Sequence, residues 1–291
     1  MKEINIFCFG FGQVAKEFIN KIKSENLIIN LSTTSTGKSC KKKIDDLSYE
    51  NFFFKDEAFD DKLIKNLREA DYILISIPPA NGIDLVIKNF FYEIKDSKFK
   101  WITYLSATSV YGDHDGNWVN EDSLTNPTSS NGIARLEAEK SWLNLSKKNN
   151  QPIQIFRLSG IYSKENNILI RLKLGKVNLI KKENHFFSRI HVEDIANILF
   201  ESLSNFKSGE IYNLSDDKPS SSEEVTMYGV KLLNLDKPKM TEVGDIDNKM
   251  LKSFYRDSKK VSNKKMKNFF NYKLKFPTYV EGLNYIRDNF T

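Results

Sequence analysis

Disulfide frameworks and metal clusters are what this sequence is least equipped to build. Its two cysteines, Cys8 and Cys40, and its three histidines are too few and too scattered for either. Long apolar runs are also missing. The longest, around Tyr72 to Pro79, is strand-sized and far short of the roughly 20 residues a membrane helix needs. The opening MKEINIFCFGFG runs straight into glycines, unlike a secretory leader, so the cytoplasm is the expected compartment. No basic stripe accounts for the net charge of +6: the excess comes from scattered lysines, the tightest runs being Lys41–Lys43 and the group Lys259, Lys260, Lys264, Lys265 and Lys267. Neither an aromatic-interleaved RNA motif nor zinc-finger spacing accompanies them, so a solvated surface is expected and nucleic acid is not an expected partner.

What is present is an ordinary globular composition, 40% hydrophobic and 28% charged, over 291 residues. That is enough for one large domain or two joined ones. The first half alternates strand-like and helical stretches. Ile4 to Phe9, Leu27 to Leu31, Asn51 to Phe54, Tyr72 to Ile77, Trp101 to Leu105 and Ile153 to Arg157 read as strands. Helices are expected at Gln13 to Lys23, Ile83 to Ile94 and Ser129 to Leu145. This rhythm predicts an α/β fold built on a parallel, doubly wound sheet. Beyond Arg157 it breaks: Asn167 to Leu174 looks helical, Phe187 to Leu203 contains a helix with Asp194 placed to cap it, and Gly209 to Leu214 is a strand rejoining the sheet. The remainder is expected to be mostly helical, ending in Tyr279 to Phe290.

Between the first strand and first helix lies Gly10-Phe11-Gly12-Gln13-Val14-Ala15, of the form GxGxxA. The glycines permit a tight turn and close approach of a pyrophosphate, and the helix start supplies amide donors and a favourable dipole. A glycine turn without a ligand is the plainer alternative. The acidic residue that usually follows about 20 positions on, for the adenosine ribose, is absent: the second strand ends in Thr33, Thr34 and Ser35, with Lys38 nearby. Hydroxyls and a cation suit a 2′-phosphate better than a carboxylate does, so the expected cofactor is NADP or NAD, with a lean to NADP. Thr36-Gly37-Lys38-Ser39 is not a P-loop ending, because the earlier glycine would fall at Ser32.

Further stretches carry a family likeness. They are Ile77-Pro78-Pro79; Ser106-Ala107-Thr108-Ser109-Val110-Tyr111-Gly112; Arg157-Leu158-Ser159-Gly160; Ser188-Arg189-Ile190-His191-Val192-Glu193-Asp194; and Tyr212-Asn213-Leu214. With the glycine turn and Phe276-Pro277-Thr278-Tyr279, the chain resembles the extended short-chain dehydrogenase/reductases of the NAD-dependent epimerase/dehydratase type, in an atypical branch. The resemblance implies a Rossmann lobe of residues 1–157, with 189–217 returning to it. It also implies a smaller, mostly helical lobe of 158–188 and 218–291 that takes a small-molecule substrate such as a nucleotide-sugar. Its implied cofactor residues are Gly10, Phe11, Gly12, Gln13, Val14, Thr33, Thr34, Ser35, Ile77, Pro78, Pro79, Ser106, Arg135 and Leu158. It allows a homodimer, with the helices near 84–94 and 129–145 as the place to look.

Members of that family carry a Ser or Thr five residues before the VYG glycine, and a Tyr about 24 later with a Lys four beyond it. In this chain those positions hold Ala107, Asn131 and Arg135. A tyrosine tuned by a neighbouring cation serves as acid and base; an amide does not titrate and carries no proton through a turnover. Arg135 keeps its charge and retains donors for ribose hydroxyls. The plainer alternative makes Asn131 a helix-start residue and Arg135 a surface charge paired with Glu139. Substitute proton carriers are Tyr111 and His114, in the loop after a strand end, where such sheets place ligands. Trp118 and Glu121 are expected to pack or anchor that loop. Arg189 is the substrate-side candidate, for a phosphate or carboxylate, with an inter-lobe salt bridge as its alternative. His191 reads as structural. No metal site is expected.

Overall fold

The computed structural model describes residues 3–245 and 255–290; part of the C-terminal segment expected to be mostly helical, 246–254, lies outside them. The strands and helices begin with β1 Glu3–Phe9, α1 Gln13–Ser24, β2 Ile28–Ser35, β3 Cys40–Ile44, β4 Leu47–Lys55 and β5 Ala58–Phe59. Next come α2 Lys62–Glu69, β6 Tyr72–Ile75, α3 Leu85–Asp96, β7 Trp101–Ala107, β8 Trp118–Val119 and α4 Ser130–Asn149. They continue with β9 Ile153–Leu158, β10 Gly160–Tyr162, α5 Ile168–Lys173, β11 Leu179–Ile180 and β12 Arg189–His191. Then follow α6 Val192–Glu201, β13 Ile211–Leu214, α7 Ser222–Leu233, β14 Met240–Thr241, β15 Lys260–Val261 and the helices Lys264–Phe270 and Tyr279–Phe290.

The main sheet runs β13-β9-β7-β6-β1-β2-β4-β3, with β5 also on β4. β1 pairs in parallel with β2 and β6, β2 with β4, and β6 with β7. The β3 and β5 pairings to β4 are antiparallel. The doubly wound α/β sheet expected from the sequence is therefore present, with one departure. Between β2 and β4 the chain makes the hairpin strand β3 instead of a crossover helix.

The chain divides into two compact units. The first comprises Met1–Ala107, Ile133–Arg157 and Ile195–Ile211. Its core is aromatic: Phe7, Phe9, Phe52, Phe54 and Phe90 are all buried together with Ile73, Ile75 and Trp142. Removing each large apolar side chain from water contributes roughly 1.5–3 kcal/mol, which holds the α3 side of the sheet. α1 packs through Val14, Ala15, Phe18, Ile19 and Ile22, and carries Lys21 and Lys23 in its last turn, where cations suit the dipole. α3 begins at Asp84, whose carboxylate accepts from the Val86 and Ile87 amides at 3.0 and 2.9 Å.

The second unit comprises Thr108–Gly132, Leu158–Asp194 and Tyr212–Thr291. Short parallel pairs β10–β12, β11–β14 and β15–β8 stand beside its helices. Tyr162, Leu169, Val225, Tyr279, Leu283 and Ile286 form its core. Gly282 is required there, because a Cβ would lie 2.1 Å from the Tyr162 hydroxyl. Asp194 does not cap a helix. Its carboxylate accepts from the Tyr272 hydroxyl and from the Lys275 and Phe276 amides, at 2.9, 2.7 and 3.0 Å, and so binds the chain before the last helix.

Candidate functional site

In the first unit the GxGxxA turn has the geometry its composition implies. Gly10 has φ +84°, and a Cβ there would sit 2.6 Å from Ile77 Cγ2, so only glycine fits. Its amide donates to Thr34 Oγ1 at 2.9 Å, and the Ser76 hydroxyl reaches the Phe9 and Gly10 carbonyls, each at 3.1 Å. Gly12 precedes α1 without a side-chain cap, and the first turn carries no acidic residue. A Cβ built on Gly12 meets nothing within 4 Å. The start of α1 thus has open space at Gly12 and neither a side-chain cap nor an acidic residue in its first turn, a surface compatible with an incoming diphosphate. Phe11 packs against Tyr49 with ring centroids 5.1 Å apart. Gln13 is exposed and Val14 buried. Ile77 and Pro79 are half-buried and Pro78 exposed, in the connection just past β6.

At the end of β2, Thr33 and Thr34 are buried and Ser35 half-buried. Here the structure reveals a residue that sequence reasoning missed. Asn51, buried on β4, accepts from Thr33 Oγ1 at 3.1 Å and donates to Ser35 Oγ at 3.0 Å. Its spacing from Ser35 gave no signal; parallel pairing of β2 with β4 brings them together.

Arg135 is half-buried on α4, and its Nη1 donates to the Leu105 carbonyl of β7 at 2.8 Å. Glu139 is not its partner, as the surface-pair alternative required. Glu139 instead makes a two-pronged ion pair with Arg157 of β9, the Nη2–Oε2 contact being 2.7 Å, and both are buried. One turn on, Trp142 Nε1 donates to Asp84 Oδ2 at 2.9 Å. The inner face of α4 is therefore a row of anchored polar groups. Ala107 is half-buried at the end of β7, and the buried Ser106 hydroxyl beside it has no hydrogen-bond partner among the described residues. A phenol does interact with the Arg135 charge, that of Tyr104, but it is fully buried in β7. Burial, only partly opposed by that charge, pushes it above the ordinary tyrosine range, so it is no ready base.

In the second unit, Ser129 Oγ accepts from the Gly132 amide at 3.1 Å, and Asn131 is exposed in the first turn of α4. Tyr111 is fully buried and its hydroxyl donates to Asn213 Oδ1 at 2.7 Å. His114 Nε2 lies 3.2 Å from the Tyr111 carbonyl and 3.1 Å from that of Leu124. Two carbonyl acceptors make this the protonated nitrogen. Glu121 does anchor its loop, accepting from the Asn213 amide at 2.7 Å. Trp118, expected with Glu121 to pack or anchor that loop, is 58% exposed, while its backbone pairs with Lys260 in β15. Arg189 makes no salt bridge among the described residues; its Nη1 donates to the Phe187 and Ser220 carbonyls, both at 3.0 Å. Burial lowers its pKa and raises that of Asp216, which it faces electrostatically. His191 accepts from the Glu193 amide through Nδ1 at 3.3 Å, and burial pushes its pKa down to about 3. Leu158 is buried at the end of β9. Among the described residues no group of three or more His, Cys, Asp or Glu is placed to hold a metal, and no helix is long and apolar enough to cross a membrane.

A sequence model of the NAD dependent epimerase/dehydratase family matches residues 88–215. No curated protein matches the chain. Among solved structures, a functionally unknown conserved protein from Silicibacter pomeroyi is 31% identical, with a TM-score of 0.86 over 100% of both chains. The dTDP-glucose 4,6-dehydratase of Bacillus anthracis, solved in complex with NAD, is 17% identical with a TM-score of 0.79, over 99% of this chain and 96% of that one. The UDP-glucose 4-epimerase of Thermotoga maritima, solved with UDP-glucose, is 13% identical with a TM-score of 0.80, over 100% and 98%. The two enzymes are similar in fold alone.

Proposed function

The chain belongs to the NAD-dependent epimerase/dehydratase family, and from that premise we propose that it binds a nicotinamide dinucleotide, NADP ahead of NAD, without the tyrosine–lysine proton transfer of its kin. The observation that carries this reading is the open start of α1. Gly12 leaves free space where a side chain would stand, makes no side-chain cap bond, and is followed by a first turn without an acidic residue. The amides of that turn would hold the diphosphate. Arg135, with one nitrogen on the Leu105 carbonyl, keeps further N–H groups for ribose hydroxyls. The buried Ser106 hydroxyl is the proposed partner beside them. When bound, the nicotinamide supplies hydride transfer.

Proton transfer is where the reading departs from the relatives. Asn131 can hold a hydroxyl by hydrogen bonds but does not titrate. Tyr111 gives its proton to Asn213, and His114 is spent on two carbonyls, which favours loop-holding over acid–base work for both. The dehydratase and epimerase structures suggest a nucleotide-sugar as second ligand. For it the second unit would offer the Arg189 nitrogens not used on Phe187 and Ser220. A sensor or scaffold that holds NADP fits these features better than a catalyst. A homodimer through α3 and α4 is also proposed, since Phe91, Tyr92 and Ile133 stand exposed there. Tyr92→Glu should dissociate it in sedimentation, and a wild-type monomer would overturn it.

Mass spectrometry of small molecules released from the purified protein tests the binding half; a dinucleotide is expected. Incubation with a panel of sugar nucleotides tests the other half. No conversion is expected, and turnover by the wild-type chain would overturn it.

A further inference from the structure

We infer that Asn51 is a specificity-determining residue: it turns the Ser35 hydroxyl into a donor at the adenosine-ribose end of the site and so selects the 2′-phosphorylated dinucleotide. The inference rests on the dinucleotide reading above and assigns a role to a strand outside the glycine turn. Asn51 is 2% exposed, and the register of β4 sets it opposite Thr33 of β2. Its carboxamide is used at both ends, Oδ1 accepting from Thr33 Oγ1 and Nδ2 donating to Ser35 Oγ. Ser35 Oγ accepts a second bond from the Gly37 amide at 3.3 Å. With both lone pairs engaged, the half-exposed Ser35 hydroxyl has its own proton left to offer. Thr34 Oγ1 is likewise an acceptor already, for the Gly10 amide.

Unphosphorylated ribose is held at this strand end by a carboxylate that accepts from its hydroxyls. Thr33, Thr34 and Ser35 supply none. Asp60, which interacts with Ser39 beyond the strand, has its carboxylate on the Lys62 amide at 3.0 Å. A hydroxyl donor, the exposed Gly37 backbone and the Lys38 ammonium form the complementary arrangement, suited to phosphate oxygens.

Titration calorimetry with adenosine 2′,5′-bisphosphate and with 5′-AMP isolates this end of the site from the nicotinamide. The bisphosphate should bind the wild-type chain at least about tenfold more tightly. Asn51→Asp, nearly the same in shape, would take the Ser35 proton and turn a lone pair outward. It should cut that preference by about tenfold while 5′-AMP affinity stays within about threefold. Ser35→Ala, which adds no charge, should lower the preference in the same sense and serves alone if Asn51→Asp misfolds. Equal binding of the two nucleotides to the wild type, or a preference untouched in the variants, overturns the role of Asn51 and leaves the dinucleotide reading standing. Failure of both nucleotides to bind overturns that reading, and the inference with it.

Discussion

Arg135 shows how much one side chain can be read from position and how much cannot. Counting from the VYG glycine placed it at the family's lysine position, and its chemistry as a fixed charge with several donors followed from residue type. Its anchor did not. The Leu105 carbonyl is reached across the fold, and nothing in the spacing of the two residues announces it. Asn51 was illegible for the same reason: its contacts with Thr33 and Ser35 arise from strand pairing, and a lone asparagine in a strand carries no motif. If the Arg135 guanidinium bonds the ribose, Arg135→Ala should weaken NADPH binding by about 1–3 kcal/mol. Fluorescence titration checks this, and an unchanged dissociation constant would reduce the residue to a strap between α4 and β7. Gly112 makes a second case at this scale. It has φ +72°, and a Cβ there would lie 2.0 Å from the Asn126 carbonyl oxygen. Gly112→Ala should therefore destabilise its loop by at least about 1–3 kcal/mol, measured by denaturant unfolding; wild-type stability would contradict the strain.

At the scale of elements, the long, periodic segments were the legible ones. The helix expected at Ser129 to Leu145 runs Ser130–Asn149, and the first strand and first helix lie where the apolar pattern put them. Two kinds of element escaped. The β3 hairpin, rich in exposed lysines, has no buried face to create a period. The short strands β8, β10, β11, β12, β14 and β15 are only two or three residues long, too short for alternation to register. On α4 the spacing of Arg135 and Glu139 also allowed an exposed ion pair, and it took the packing to show that Arg135 is bound to Leu105 and Glu139 to Arg157 instead. Burial of the Glu139–Arg157 pair makes a sharp prediction. Glu139→Ala leaves a guanidinium buried without its carboxylate and should cost about 3–5 kcal/mol, whereas Glu139→Leu with Arg157→Met should recover most of that loss. Chemical denaturation of both variants decides, and equal losses would show that the pair is not the cause.

For the whole molecule, the alternation of strands and helices fixed the fold class because a parallel sheet buried on both faces writes itself as short apolar runs separated by amphipathic helices. The second unit had no such grammar, and its polar interior was unreadable. His185 and His191 sit there as buried neutral imidazoles, lowered by burial to about 4 and about 3 from an ordinary 6.5. Folded values below the unfolded one mean that their contribution is intact above about pH 6.5 and is lost as pH falls toward the folded values. Each should remove about 2 kcal/mol by pH 5. Asp194 and Asp216, raised by burial, act in the opposite sense, so the slope must be isolated. In His191→Gln the stability lost between pH 7.5 and 5 should shrink by about 2 kcal/mol, and an unchanged loss would contradict the assignment. The claim beneath all of this is that the turn Gly10–Ala15 grips a dinucleotide, and NADPH titration of wild type beside Gly12→Glu tests it most directly. Saturable binding by the wild type and none by the variant is the predicted result; no binding to the wild type, or equal binding to both, would contradict it.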